Sequence, residues 1–203
     1  MLIEVLNTSI RHQKSLCTSR IKTSKILLDS SSRAKISNFG LAKLVEKKGE
    51  GEASTTKVVG TYGYLAPGYL SNGLATTKSD VYAYGVVLFE LISGKEAIIL
   101  TEGALRNSPD SMNMSSMKDY IDPNTMDLYS HDCLFKLAML AKQCVDEDPI
   151  PRPDMKQVVI SVSQILLSSV EWEATLAGNS QVLFVQTDTL LILKKNYRSS
   201  SLY

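Results

Sequence analysis

From Val81 to Ile92 the chain is apolar at nearly every position: Val-Tyr-Ala-Tyr-Gly-Val-Val-Leu-Phe-Glu-Leu-Ile. A helix that is apolar all round belongs in the middle of a core. Ser79 is the expected N-cap, and Gly94 suits the C-terminal stop. A second helix is predicted over 132–145, where Leu134, Phe135, Leu137, Ala138, Leu140, Ala141 and Cys144 recur at helical spacing. The run Asp148-Pro149-Ile150-Pro151-Arg152-Pro153 breaks the chain. A third helix starts near Asp154 and puts Met155, Val158, Val159, Val162, Ile165 and Leu166 on one stripe. Ile26-Leu27-Leu28 and Ala34-Lys35-Ile36 read as two short strands joined by the polar turn 29–33. Residues 45–57 are charged and rich in Gly, Ser and Thr, so they read as a mobile loop. Residues 104–131, with Pro109 and Pro123, read as loop and short turns. The first twenty residues are ambiguous. These patterns predict a mainly α domain with one small β-hairpin.

Bulk properties narrow the partners. A chain of 203 residues suffices for one domain with a sizeable core. The net charge is +1, with both signs interspersed, which argues against nucleic acid or an anionic membrane as a partner. Cys17, Cys133 and Cys144 are odd in number and lack metal spacing, so they read as reduced thiols of a cytosolic protein. The opening MLIEVLNTSI lacks the basic start and apolar run of a signal peptide. The apolar stretches 182–185 and 190–193 are separated by Gln186, Thr187, Asp188 and Thr189, too short and polar to span a bilayer. They read as a buried strand pair or a disordered tail. His12 and His131 have no matching ligands nearby and are assigned no role.

Residues 33–69 read RAKISNFGLAKLVEKKGEGEASTTKVVGTYGYLAPGY. This resembles the activation segment of a eukaryotic protein kinase, which opens with Asp-Phe-Gly and closes with Ala-Pro-Glu. Here it opens with Asn38-Phe39-Gly40 and closes with Ala66-Pro67-Gly68. The runs Gly60–Pro67 and Ser79–Val86 are similar to those of plant receptor-like kinases, as is the spacing Cys144, Asp148-Pro149, Arg152-Pro153, Met155. The stretches 107–114 and 171–179 look closest to the LysM-domain receptor-like kinases, which sense chitin-type signals. The resemblance spans roughly residues 20–180. It implies a two-lobe fold, ATP with magnesium, transfer to Ser or Thr hydroxyls, other receptor-like kinases as partners, and a plasma-membrane location for the intact relatives. Cytoplasmic is the expectation for the chain as written. In domain terms, 1–20 is a degenerate lead-in, 20–170 a kinase C-lobe with its activation segment at 38–68, and 171–203 a C-terminal tail.

Phosphoryl transfer requires a phosphate cradle, metal ligands and a carboxylate that accepts the substrate proton. No Gly-x-Gly-x-x-Gly and no Val-Ala-Ile-Lys-like strand occurs in the sequence, so the N-lobe is expected to be missing. The family's His-Arg-Asp-x-Lys-x-x-Asn loop aligns with Thr18-Ser19-Arg20-Ile21-Lys22-Thr23-Ser24-Lys25. Arg20 stands at the base position, and a guanidinium stays protonated. Lys25 stands where an asparagine would bind the second metal, and an ammonium repels Mg²⁺. Lys22, which would steady the transferring phosphate, is retained; taken alone it is an ordinary surface lysine. Asn38 replaces the metal-binding aspartate by a neutral amide. Loss of general-base help alone costs roughly 10²–10⁴ in rate, about 3–5 kcal/mol of barrier. ATP and magnesium, the family's cofactors, are therefore not expected to bind well.

Four further features follow from the resemblance. Ser54, Thr55 and Thr56 sit where activation-loop phosphorylation would occur, or are simply solvated. Thr61 matches the position that favours Ser/Thr substrates. Asp80 would hold the catalytic-loop backbone, or is an ordinary acid at a helix start. Gly68 removes the glutamate that would pair with Arg152. That leaves Arg152 either buried and orphaned, costing on the order of 3–5 kcal/mol, or turned into water.

Residues 16–20 carry an oddity. The codons TAT GTA CAT CGA GAC for Tyr-Val-His-Arg-Asp, preceded by T and read one base early, give Leu-Cys-Thr-Ser-Arg, which is Leu16–Arg20. Three readings stand: a truncated pseudokinase that binds kinase partners, an intact Ser/Thr kinase misrepresented by its coding sequence, and a pseudogene product that does not persist as folded protein.

Overall fold

The computed structural model describes residues 16–17, 21–30, 34–37, 43–44, 53–54, 58–97, 120–126 and 129–176. In chain order these form β1 (Leu16–Cys17), a 3-10 turn (Thr23–Lys25), β2 (Ile26–Leu28), β3 (Ala34–Ile36), β4 (Lys43–Leu44), β5 (Ala53–Ser54), α1 (Pro67–Asn72), β6 (Leu74–Ala75), α2 (Thr77–Ser93), α3 (Pro123–Met126), α4 (His131–Cys144) and α5 (Met155–Leu176). The described domain is mainly helical, as the pattern predicts. The expected hairpin is present: β2 and β3 pair antiparallel with Ile26 opposite Ile36 and Leu28 opposite Ala34. Two further two-stranded ladders, β1–β4 and β5–β6, accompany it. Their strands are two residues long, below the length at which alternation shows in a sequence.

Helix α2 starts earlier than the sequence suggests. Its N-cap is Thr76, whose Oγ1 accepts from the Ser79 N–H at 3.2 Å. The Thr76 N–H in turn donates to Ser79 Oγ at 3.2 Å. Ser79 is thus the third helical residue and closes a capping box instead of being the cap. The predicted stop holds: Gly94 takes the left-handed conformation, φ 67°, which only glycine adopts without strain. Asp154 and Gln157 make the equivalent exchange at the head of α5. The Gln157 N–H donates to Asp154 Oδ1 at 2.8 Å, and the Asp154 N–H donates to Gln157 Oε1 at 2.7 Å. Helix α5 continues to Leu176, past residue 170, where the sequence reading placed the start of a tail.

Helix α2 runs through the core, with α4 and α5 packed around it. Val81, Tyr84, Val87 and Leu88 meet Leu140, Ala141 and Cys144 of α4, Val158 of α5 and Ile21 of the segment before the 3-10 turn. Each fully buried aliphatic side chain contributes roughly 1.5–3 kcal/mol. The α2–α4 contact is close because Gly85 has no side chain: a Cβ there would lie 2.6 Å from Cys144 Cβ and 3.0 Å from the Ala141 carbonyl. Burial pushes the Cys144 thiol up to about 12 and also raises Cys133. Both are inert, buried free thiols. Tyr84 is fully buried too, and its Oη makes no hydrogen bond among the described residues. No helix among the described residues is long and apolar enough to cross a membrane.

Candidate active site

The candidate strip begins at the segment 21–25. Ile21 is buried against α2 and anchors it. The next residues turn tightly, with the Lys25 N–H donating to the Lys22 carbonyl at 3.0 Å. The Lys25 carbonyl then accepts twice from Ser37, from its N–H at 2.8 Å and its Oγ at 3.2 Å. Lys25 is thereby fixed beside the residue that precedes Asn38. Asn38 itself, Arg20, Thr55 and Thr56 lie outside the described residues. Ser54 falls in β5, where only the backbone is described.

Lys22 and Thr61, 39 residues apart in sequence, come together: Lys22 Nζ donates to Thr61 Oγ1 at 3.0 Å. One step deeper, Tyr64 Oη donates to Glu90 Oε2 at 2.6 Å. Tyr64 Oη also lies 3.1 Å from Thr23 Oγ1. With the phenol proton committed to Glu90, Thr23 is the donor in that contact. The second Glu90 oxygen, Oε1, accepts from the Ala97 N–H at 3.0 Å. One carboxylate therefore joins the 3-10 turn, the segment before α1 and the chain leaving α2. Burial raises the Glu90 carboxyl above its ordinary range, against the hydrogen bonds from Tyr64, Ala97 and Thr23. Burial and then the bond to Glu90 push the Tyr64 phenol well above its usual range.

No motif along the chain marks this cluster. Its signal was available: Glu90 is the one charged residue between Val81 and Ile92. A carboxylate on such a helix must find donors. Asp80, in the first turn of the same helix, is also buried.

Arg152 follows neither expected course. It is 2% exposed, so it does not reach water. Nor is it orphaned: Nε donates to the Asp146 carbonyl at 2.7 Å, an Nη to the Lys78 carbonyl at 3.1 Å and the other Nη to the Glu147 carbonyl at 3.0 Å. Its guanidinium carbon sits 5.2 Å from the centre of the Tyr82 ring, within cation–π range. Lys78 Nζ donates to the Arg152 carbonyl. Asp146 and Glu147 follow the C-terminus of α4, so the cage also exploits the negative end of that helix. Burial lowers the Arg152 pKa, opposed by Tyr82, Asp146, Asp148 and Cys144. At Gly68 a Cβ would meet nothing within 4 Å.

Among the described residues, no three His, Cys, Asp or Glu side chains converge as cation ligands. Comparison with known proteins agrees with the residue pattern. Residues 6–162 match the family of protein kinase domains. LysM domain receptor-like kinase 3 of Arabidopsis thaliana is 72% identical over 179 residues, 80% of this chain and 28% of that protein. The chain belongs to the LysM receptor-like kinase family. Chitin elicitor receptor kinase 1 of the same plant is 37% identical, over 79% of this chain and 27% of that protein. Probable serine/threonine-protein kinase PBL15, also from Arabidopsis thaliana, is 42% identical, over 71% of this chain and 35% of that protein. The chain thus spans about a third or less of the length of these curated relatives.

Proposed function

We propose that this chain is a catalytically silent kinase-family domain of receptor-kinase signalling, acting through the partners it binds. The observation that carries the reading is the cation at position 25. Two hydrogen bonds from Ser37 fix the Lys25 main chain at the end of the 3-10 turn, and by alignment with the family motif Lys25 brings an ammonium in place of the amide oxygen used on magnesium. Magnesium takes hard oxygen ligands in near-octahedral geometry, and a protonated lysine has no lone pair to offer. Arg20 at the base position and the neutral Asn38 remove the two negative charges the reaction relies on. This donor set does not fit a magnesium nucleotide, and no transfer step is assigned to it.

The partner class follows from the family. Relatives named as receptor kinases suggest other receptor-like kinases as binding partners, and for the intact relatives a place at the plasma membrane. The retained contacts, Lys22 to Thr61 and Glu90 to Tyr64, support a second reading. They keep a working frame around altered chemistry, which suits an intact Ser/Thr kinase whose Leu16–Arg20 stretch is read out of frame. Phosphate transfer from labelled ATP to a generic Ser/Thr substrate separates the two. The purified chain is expected to give only the no-enzyme background. Magnesium-dependent incorporation, retained after removal of any co-purifying kinase, would overturn the first reading. A transcript whose neighbouring frame cannot encode Tyr-Val-His-Arg-Asp would remove the second.

A further inference from the structure

Helix α5 presents an outward seam that contributes nothing to the core. Gln157, Ile160, Gln164, Leu167 and Glu171 are all exposed, and they recur at alternating steps of three and four. That is the spacing with which one helix lays itself along another. Ile160 is 57% exposed and Leu167 64%, while Val158, Val159, Val162 and Ile165 of the same helix face the core. Beside the seam lies a groove of about 380 Å³ floored by Phe135, Met139, Leu140 and Ile165. Gln164, Leu167 and Glu171 fall beyond residue 162, where the match to the kinase domain family ends.

The charges select the occupant. Exposed Lys156 and exposed Glu171 sit at opposite ends of the seam, roughly 22 Å apart at the helical rise of 1.5 Å per residue. That is well beyond a Debye length, so they do not pair within one chain. Rotation of a second copy about a two-fold axis between Ser163 and Gln164 sets Lys156 opposite Glu171 and Ile160 opposite Leu167. Symmetry makes each contact twice. We infer that this face of α5 is a self-association surface, on which a second copy of the chain docks antiparallel through Ile160 and Leu167 and is held in register by Lys156 and Glu171. The contact is small, so the dimer forms at roughly micromolar to hundred-micromolar concentration.

Sedimentation equilibrium of the full chain from about 1 to 500 μM brackets that range. A monomer–dimer equilibrium is expected. Leu167→Glu abolishes it, while Lys156→Glu and Glu171→Lys each weaken it by roughly tenfold or more. An equimolar mixture of those two charge variants regains association, because one chain then lays two carboxylates along the seam and the other two ammoniums. That recovery also shows that both variants are folded. A monomer throughout the range overturns the proposal, as when residues 177–203 or another protein cover the seam. So does a dimer indifferent to Leu167→Glu, or a mixture that fails to recover. The proposal does not depend on catalytic silence: phosphotransfer by a chain that still dimerises would remove that reading alone.

Discussion

Arg152 and Lys25 are two cations at positions where the kinase family relies on nearby anions or oxygen ligands, and they fare differently. Arg152 has no glutamate at position 68, yet three main-chain carbonyls and the face of Tyr82 receive it. Among the described residues Lys25 is engaged through its backbone, by Ser37, and on the proposed reading its charge replaces an oxygen ligand of the family's metal. A structural contact tolerates substitution because any well-placed acceptor satisfies a guanidinium. A metal site does not, because its ligands must supply particular atoms. On the proposed reading, the fold outlasts changes that the chemistry cannot.

The comparison breaks most readily at Arg152. Arg152→Ala should destabilise the domain by about 3–5 kcal/mol in urea unfolding, since three carbonyls lose their donor at a buried site. A change under about 1 kcal/mol would mean that the cage carries no load. Next in size is Gly85→Ala, where the added methyl would meet Cys144 and the Ala141 carbonyl. A loss of about 1–3 kcal/mol is expected, with α4 displaced from α2. An unchanged melting temperature would contradict that packing.

Tyr64→Phe should cost about 1–3 kcal/mol at neutral pH by leaving Glu90 short of a donor, and its pH dependence is diagnostic. The folded carboxyl already titrates above its unfolded value because of burial, so its favourable share is fully present below the unfolded pKa. That share is lost as pH rises through the folded one. Removing the Tyr64 bond, which lowers this pKa, raises the folded value further. The variant should therefore lie closest to the parent at low pH and fall away as pH rises. A pH-independent deficit would contradict the Glu90 assignment. The smallest effect sharpens the contrast. A Cβ at Gly68 meets nothing within 4 Å, yet Arg152 is already satisfied, so the gain from Gly68→Glu should stay below about 1 kcal/mol. A larger gain would show that the carbonyl cage is a poor substitute.

What the sequence made legible follows from how local each signal is. The all-apolar run 81–92 specified the central helix, and Gly94 its end, because both are written in consecutive residues. The start was misplaced by three residues. Thr76 and Ser79 form a reciprocal pair, and either reads as a cap when seen singly. Helix α1 was overlooked inside the activation-segment motif, although Pro67 at its first turn and Gly73 at its end, φ 66°, carry the usual start and stop signals. The Lys22–Thr61 bond and the fate of Arg152 depend on residues 39 to 74 positions apart. No pattern along the chain encodes such meetings. Family motifs named the positions, and the structure supplied their partners.

Thermal unfolding with and without magnesium and ATP decides whether the frame persists without its metal chemistry, as proposed. A ligand present at about a hundred times its Kd would stabilise the folded chain by about 2.7 kcal/mol. The account predicts an unchanged melting temperature for this chain with magnesium and ATP together. A magnesium-dependent rise that disappears on chelation would contradict it.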